Sequence, residues 1–402
     1  MTVLHVAIDA RIPSGLAGGV RQVVLGLVAG FRQSDVPLRR TWMVTRDHAW
    51  LGDLPSEDEV LVLTSRFDEM SFAMAERFPK TASRARPWVE RVRRPSREPF
   101  DGLLRRRGVD LVHFTFQDAF DTSLPYVYQP HDLQHRHLPQ YFSPAQIRHR
   151  ETAWRTTAVR AAAVCVGTRW VADDVQAQWH VQPERIAVIP LAPLPEDFSG
   201  EPARRDDRDV LLYPAAFWPH KRHALLVEAL AILRRDGLSI PLVLPGAPTA
   251  EHGRISRLVE DLGLADLVTM PGYVTSAELD AWYDRARVVA VPSQFESASF
   301  PVWEAMRRGI PAAAADVTAL PRQLGDGGLV VRQDSADAWA DAIRRLWTDG
   351  DLWRSCSTAG IARASRYSWG KTAMAFSSLY THVAARNETP WRDTVFGPSD
   401  LL

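Results

Sequence analysis

The sequence predicts an α/β protein of two domains, each a parallel sheet flanked by helices. Three observations carry this. Short apolar runs rich in valine, isoleucine and alanine alternate with stretches whose apolar residues recur at helical spacing, the pattern of parallel strands joined by crossover helices. The 402 residues suffice for two domains of roughly 150–200 residues each. Residues 190–209 are rich in Pro, Asp, Glu and Arg and poor in apolar residues, which reads as a linker. The expected division is residues 1–195, residues 206–375, and a last helix and tail over 376–402.

Bulk composition narrows the function classes. Apolar content of 46% and charged content of 24% are ordinary for a globular chain. The 48 basic residues balance the 48 acidic ones, so no overall field favours nucleic acid. Cys165 and Cys356 are far apart and suggest neither a disulfide framework nor a cysteine metal site. The opening run carries His5 and Asp9 and no basic leader, so it reads as a strand and not as a signal peptide. No apolar run approaches the ~20 residues of a membrane span. The expected location is cytoplasmic.

In chain order, residues 3–9 form the first strand. A turn containing Gly18 and Gly19 follows, then a helix with apolar residues at Val20, Val23, Val24, Leu27, Val28 and Phe31. Strand, glycine-containing turn and helix make a phosphate-cradling arrangement; the glycine pair alone also suits a tight turn. Neither a dinucleotide fingerprint nor a P-loop is present. Strands are expected at Thr41–Thr45 and Val60–Thr64. Residues 67–107 break the rhythm, with Lys80, Arg84, Arg86, Arg91, Arg93, Arg94 and Arg97 interleaved with Phe72, Phe78 and Trp88. That mixture suits a solvated insertion or, over 80–97, peripheral contact with an anionic membrane face or acceptor.

Further strands are expected at residues 110–116 and 124–129. The second ends at Pro130-His131-Asp132, which puts His131 at a strand's carboxyl end. The spacing of His131, His135 and His137 provides no pair with an acidic partner of the helical zinc type. A helix over 143–162, a strand over 163–167, a helix from Gly167 and a strand at Ile186–Ile189 complete the first domain.

The second domain opens with a strand at Val210, then Trp218-Pro219-His220-Lys221-Arg222-His223 before a helix with apolar residues at 225, 226, 229, 230 and 233. Lysine is scarce, at positions 80, 221 and 371 only. A chain that uses arginine so freely for solvated charge singles out Lys221. Strands at Pro241–Gly246 and Leu267–Val274 precede residues 287–310, the most informative stretch. Val288–Val291 reads as a buried strand. A loop carries Glu296, Pro301 suits a helix's first turn, Glu304 lies one turn in, and Gly309 ends the helix. Ligands bind outside the carboxyl ends of strands in such sheets, and helix N-termini there attract phosphate. A phosphorylated, hydroxyl-rich ligand fits, although either glutamate alone also suits a helix-start or solvated carboxylate. Strands at Pro311–Asp316 and Gly328–Val331, helices over 335–349 and 351–365, and a helix from Tyr367 to about Ala385 finish the chain. The Asp-x-Asp runs at Asp207/Asp209 and Asp349/Asp351 fall in the linker and between helices, so no metal is assigned.

The pattern Pro292-Ser293-x-x-Glu296-x7-Glu304, ending in Glu304-Ala305-Met306-x-x-Gly309-x-Pro311, resembles the donor-sugar signature of the retaining glycosyltransferases of family 4. Residues 130–142 and 219–230 are similar to two further motifs of that family. The resemblance implies the glycosyltransferase-B fold, two Rossmann-like domains facing a cleft. It also implies a nucleoside-diphosphate sugar, UDP- or GDP-linked, as donor substrate, with no cofactor and no metal. On it, His131, Lys221 and Glu296 are catalytic: His131 faces the reacting carbon, Lys221 the diphosphate and Glu296 the hexose. Glu304 meets the ribose. Gly18, Gly19, His220, Tyr273, Val274, Ser297, Ala298, Ser299 and Phe300 complete the donor site. The family's usual loop is Glu-Gly-Phe-Gly where this chain has Glu296-Ser297-Ala298-Ser299. The family also often has an arginine a few positions before the lysine, where this chain has Ala216-Phe217-Trp218 and His220 or Arg222 is the available substitute. The implied reaction is metal-independent, front-face transfer of a hexose to an acceptor hydroxyl. A sugar-nucleotide epimerase or phosphorylase, or a non-catalytic scaffold, is the alternative on the same fold.

Overall fold

The computed structural model describes residues 3–12, 18–52, 54–63, 100–193, 204–386, 389–397 and 400–401. The basic stretch 80–97 and residues 194–203 of the linker lie outside these residues.

Two parallel sheets form the frame. The first has seven strands in the order β3-β2-β1-β4-β5-β6-β7: β1 Leu4–Asp9, β2 Leu38–Val44, β3 Glu59–Val62, β4 Leu111–Phe114, β5 Tyr126–Tyr128, β6 Ala163–Val166 and β7 Ile186–Val188. The second has six, in the order β10-β9-β8-β11-β12-β13: β8 Val210–Leu212, β9 Leu242–Pro245, β10 Val268–Gly272, β11 Ala286–Val291, β12 Ala312–Ala315 and β13 Gly328–Val331. The central strands are buried on both faces, β1, β6, β11 and β12 almost without exception. Their continuous apolar runs are what a sheet covered by helices on both sides requires.

Several elements differ from the sequence expectation. Most strands are one to three residues shorter, whereas β2 and β11 are two residues longer and β13 is as expected. The helix expected over 143–162 is Pro144–His149, a π-helical turn at Arg150–Trp154, and Arg155–Arg160. The wider turn carries the Arg150 guanidinium 4.3 Å from the rings of both Phe142 and Trp154. The strand expected to reach Val274 ends at Gly272 (φ +78°), a conformation that favours glycine. Tyr273 and Val274 therefore lie past the sheet. The last helix begins at Trp369, where Ser368 accepts a hydrogen bond from the Lys371 amide.

That helix, Trp369–Ala384, returns to the first sheet's side and packs on the helix Gly19–Gln33. A Cβ at Gly26 would lie 2.0 Å from the Trp369 ring, and one at Gly30 would lie 2.2 Å from the Trp369 carbonyl. Thr372 donates to the Pro190 carbonyl at 2.8 Å, and the Tyr380 hydroxyl meets His113 Nδ1 at 2.7 Å. This second physical link, besides the linker, holds the two sheets so that the carboxyl ends of β1, β4 and β5 face those of β8 and β11. The facing surfaces touch. Tyr141 donates to Gln294 at 2.8 Å, and Thr168 to the Ser297 carbonyl at 3.2 Å.

Candidate active site

β11 delivers Ser293 and Glu296 to the cleft on the loop beyond its carboxyl end. β8 leads to Tyr213 and then to Lys221, which sits in the short 3-10 turn Pro219–Lys221. The four side chains meet. Lys221 Nζ donates to Glu296 Oε1 at 2.6 Å, and Ser293 Oγ donates to the same oxygen at 2.6 Å. The buried Tyr213 hydroxyl is 2.9 Å from Ser293 Oγ and 3.1 Å from the Lys221 carbonyl. The pair is mostly buried, so the ammonium and the carboxylate compensate one another at little cost in screening.

Glu304 lies in the helix Phe300–Arg307 and is only 5% exposed. Tyr283, from the helix Ser276–Arg285, donates to its Oε2 at 2.5 Å. Gln22, from the helix Gly19–Gln33 of the other domain, donates to its Oε1 at 3.3 Å. Burial pushes the Glu304 carboxyl up, and the Tyr283 bond opposes this without cancelling it. Arg308 stands 4.7 Å from the Tyr283 ring and donates to Asp280 at 2.5 Å. Glu304 is thus a carboxylate held between two hydrogen-bond donors, one from each side of the cleft. A vicinal diol offers two donors to a carboxylate in the same way.

On the first domain's side, His131 Nε2 lies 2.8 Å from the Thr115 carbonyl. A carbonyl only accepts, so Nε2 carries the proton. Burial lowers the His131 pKa, which favours a neutral imidazole with Nδ1 unprotonated. Thr115 in turn donates to the Asp9 carbonyl at 2.5 Å, and the buried Asp9 carboxylate holds Arg11 at 2.9 and 2.8 Å. Gly18 and Gly19 open their helix opposite Phe300. A Cβ at Gly19 would meet the Phe300 ring at 3.5 Å, an ordinary contact, and one at Gly18 would meet nothing within 4 Å. Protein packing alone therefore does not demand these glycines.

The expected residues are not all assembled. Lys221, Glu296, Ser297, Ser299, Phe300 and Glu304 line one wall, with Gly19 against Phe300. Tyr273 is 67% exposed beyond the edge strand β10, and among the described residues neither it nor Val274 makes a side-chain hydrogen bond or ring contact with that group. His220 packs 6.2 Å from the Tyr141 ring, and burial lowers its pKa to about 3. It is neutral and cannot replace an arginine's charge. Arg222 is ion-paired with Asp334. Of the Asp-x-Asp residues, Asp209 pairs with Arg285 and Asp349 caps the helix Gly350–Ala364. Among the described residues no group of three His, Cys, Asp or Glu could hold a metal ion.

Sequence reasoning passed over Gln22, Tyr213, Tyr283, Thr318 and Gln323. Tyr213 and Tyr283 are core residues apart from one hydroxyl each. Ser293 had a visible signal, its place in the Pro-Ser-x-x-Glu pattern.

Comparison with known proteins agrees with this architecture. Residues 54–192 match the family model Glycosyltransferase Family 4, and residues 196–363 match Glycosyl transferases group 1. Over 250 residues the chain is 27% identical to O-antigen chain mannosyltransferase B of Escherichia coli, covering 60% of this chain and 65% of that protein. Over 241 residues it is 31% identical to D-inositol 3-phosphate glycosyltransferase of Frankia alni, covering 54% and 59%. The aligned stretch thus spans about three fifths of these relatives. Among solved structures, HepE of Anabaena, determined in complex with UDP and glucose, superposes with a TM-score of 0.66 at 17% identity, covering 94% of this chain and 99% of that one. With the two facing parallel sheets described above, these matches place the chain in the group 1 and family 4 glycosyltransferases of the GT-B fold.

Proposed function

We propose that the protein transfers a hexose, with retention, from a nucleoside-diphosphate sugar to an acceptor hydroxyl. The observation that carries this is the joint placement of the Lys221–Glu296 pair and the buried Glu304 along one wall of the cleft. One diphosphate-binding cation and two hydroxyl-binding carboxylates match the parts of a sugar nucleotide in order. Glu304 takes the ribose hydroxyls, in place of Gln22. Lys221 takes the diphosphate, which also approaches Gly18 and Gly19. Glu296 takes the hexose hydroxyls.

In the reaction the bond from the anomeric carbon to the diphosphate oxygen breaks, and its electron pair leaves with the diphosphate. The acceptor oxygen bonds to the same face of the sugar, and its proton passes to the departing phosphate oxygen. Lys221 and the amides at the start of the helix Phe300–Arg307 stabilise the charge that develops on the leaving group. Preorganised electrostatics of this kind is usually the largest single term. His131 borders the reacting carbon as a neutral imidazole, so it adds no repelling charge to an oxocarbenium-like centre.

The mannosyltransferase relative supports hexosyl transfer, the inositol 3-phosphate relative supports glycosyl transfer more broadly, and the UDP and glucose found with HepE support a UDP-linked donor. The acceptor class is a glycan, a lipid-linked sugar or a small polyol. The basic stretch 80–97 would favour an acceptor at an anionic surface.

The test is incubation of the protein with UDP-, GDP-, ADP- and dTDP-linked glucose and mannose and a panel of acceptors, with product anomers read by proton NMR. One donor nucleotide giving an α-linked product from an α-linked donor is expected. An inverted product, or nucleotide-sugar isomerisation without transfer, would overturn the reading.

A further inference from the structure

The loop Gln294–Ser299 carries Glu296, yet two side chains from the segment after β12 hold its backbone. Thr318 Oγ1 accepts from the Glu296 amide at 3.2 Å and donates to the Glu296 carbonyl at 2.5 Å. Gln323 lies fully buried in the helix Leu320–Leu324 and repeats the device at Ser299. Its Oε1 accepts from the Ser299 amide at 2.8 Å, and its Nε2 donates to the Ser299 carbonyl at 2.7 Å. Each side chain supplies the reciprocal donor and acceptor that a neighbouring strand would supply.

The backbone of Thr318 is unusual. Its φ is +50°, a region that β-branched residues rarely occupy because Cβ crowds the following carbonyl. Such conformations persist where the surroundings over-determine them, and they concentrate at ligand sites. Here the hydroxyl bonded at both ends to Glu296 is what fixes the residue. The pairing has a chemical consequence. The amides of Glu296 and Ser299 are engaged, while those of Ser297 and Ala298 between them have no acceptor among the described residues. Both residues are half-buried.

We propose that Thr318 is a positioning residue for the donor sugar. Its hydroxyl fixes the Glu296 backbone so that the carboxylate stays on Lys221 and Ser293, and it leaves the Ser297 and Ala298 amides as the hydrogen-bond donors offered to the hexose. The serine-containing loop of this chain is thereby stiffened from outside. This inference rests on the glycosyl-transfer reading of the site.

Two variants test it. Thr318→Val keeps the branch and loses the hydroxyl, and Thr318→Ser keeps the hydroxyl. Two measurements are made on each: hydrogen exchange of the peptide containing residues 294–300, and calorimetric affinity for UDP-glucose against UDP and for GDP-mannose against GDP. The expected result is faster exchange in Thr318→Val and loss of about tenfold in affinity for the sugar nucleotide, with the free diphosphate unchanged. Thr318→Ser restores both. Unchanged exchange in Thr318→Val overturns the clamp. Faster exchange with an unchanged sugar-nucleotide affinity overturns the positioning role. If the wild-type protein binds none of these ligands, the reading of the site and the donor role of Thr318 both fall, and exchange alone decides whether the clamp exists.

Discussion

Lys221 Nζ and Ser293 Oγ meet on one oxygen of Glu296, each at 2.6 Å, and the other oxygen has no protein partner among the described residues. The group proposed for the diphosphate and the group proposed for the hexose are therefore one unit before any donor arrives. A lysine held this way enters the complex already oriented, and one carboxylate oxygen is left to accept a sugar hydroxyl. That is preorganisation by protein hydrogen bonds and not by the ligand.

Lys221→Ala removes the charge at the leaving group and leaves Glu296 mostly buried without its cation. The expected outcome is a fall in kcat/KM of about 10²–10³, the scale for losing one preorganised electrostatic contact. Far-ultraviolet circular dichroism should stay that of the wild type, because Lys221 packs in no core. Near-normal kcat/KM in a folded Lys221→Ala would remove this residue from the site.

Glu304→Gln separates function from stability. Burial raises the Glu304 carboxyl in the folded protein, so the folded state holds its proton to higher pH than the unfolded chain does. Stability therefore falls as pH rises from the ordinary carboxylate value through the raised one, and the deficit persists at neutral pH. Glutamine keeps an acceptor for Tyr283 and carries no charge, and the Gln22 amide can turn to accept from it. The variant should melt at or above the wild-type temperature at pH 7.5 while binding the free nucleoside diphosphate about tenfold or more weakly. A lower melting temperature with unchanged binding would make Glu304 structural.

Much of this site was legible in the sequence because its residues cluster in it. Ser293, Glu296 and Glu304 fall within one strand-loop-helix unit, and Lys221 stood out by lysine scarcity as well as by motif. What stayed hidden depends on long-range contact. Gln22 reaches Glu304 from 282 positions away, and Tyr283 differs from an ordinary core tyrosine by one hydroxyl. Thr318 and Gln323 sit in a stretch with no polar pattern, so their grip on the 296–299 loop appears only once β12 returns the chain to β11. Tyr273, assigned to the donor site by resemblance alone, stands just past the strand that Gly272 ends early.

Three histidines, His113 and His223 buried and His220 half-buried, predict a pH response. Burial lowers His113 and His220 to about 3 and His223 to about 4. The unfolded chain protonates them near the ordinary histidine value, so between about pH 4 and 6.5 it binds more protons than the folded one. Stability from these groups is complete above that window and is lost as pH falls through it, by up to about 1.4 kcal/mol per pH unit for each histidine. Glu304 acts in the opposite sense, so the clean measurement is a difference. His223 stacks on Phe217 and donates to the Ala215 carbonyl at 3.2 Å, and His223→Gln keeps a donor there. Urea unfolding at pH 7.5 and 5.5 should show the wild type losing more stability than His223→Gln. Parallel losses would mean that His223 is protonated in the folded state.

Gly26→Ala tests the helix that ties the two domains together. In an exposed helix this change would stabilise by about 1 kcal/mol. Here the added Cβ falls 2.0 Å from the Trp369 ring, and neither partner can yield easily, since Trp369 is fully buried. Overpacking of this kind costs about 1–3 kcal/mol, so the contact outweighs the propensity and the variant is destabilised. The first structure to give way is the helix Trp369–Ala384, because its start is what the methyl displaces. Limited proteolysis should then cut near its start while both sheets stay protected. The Tyr380–His113 bond at its far end should loosen as well, and His113 should begin to titrate near the ordinary histidine value by NMR. A Gly26→Ala protein as stable and as protease-resistant as the wild type would mean that the helix pair can slide apart without cost, and the tie between the domains would rest on Thr372 and Tyr380 instead.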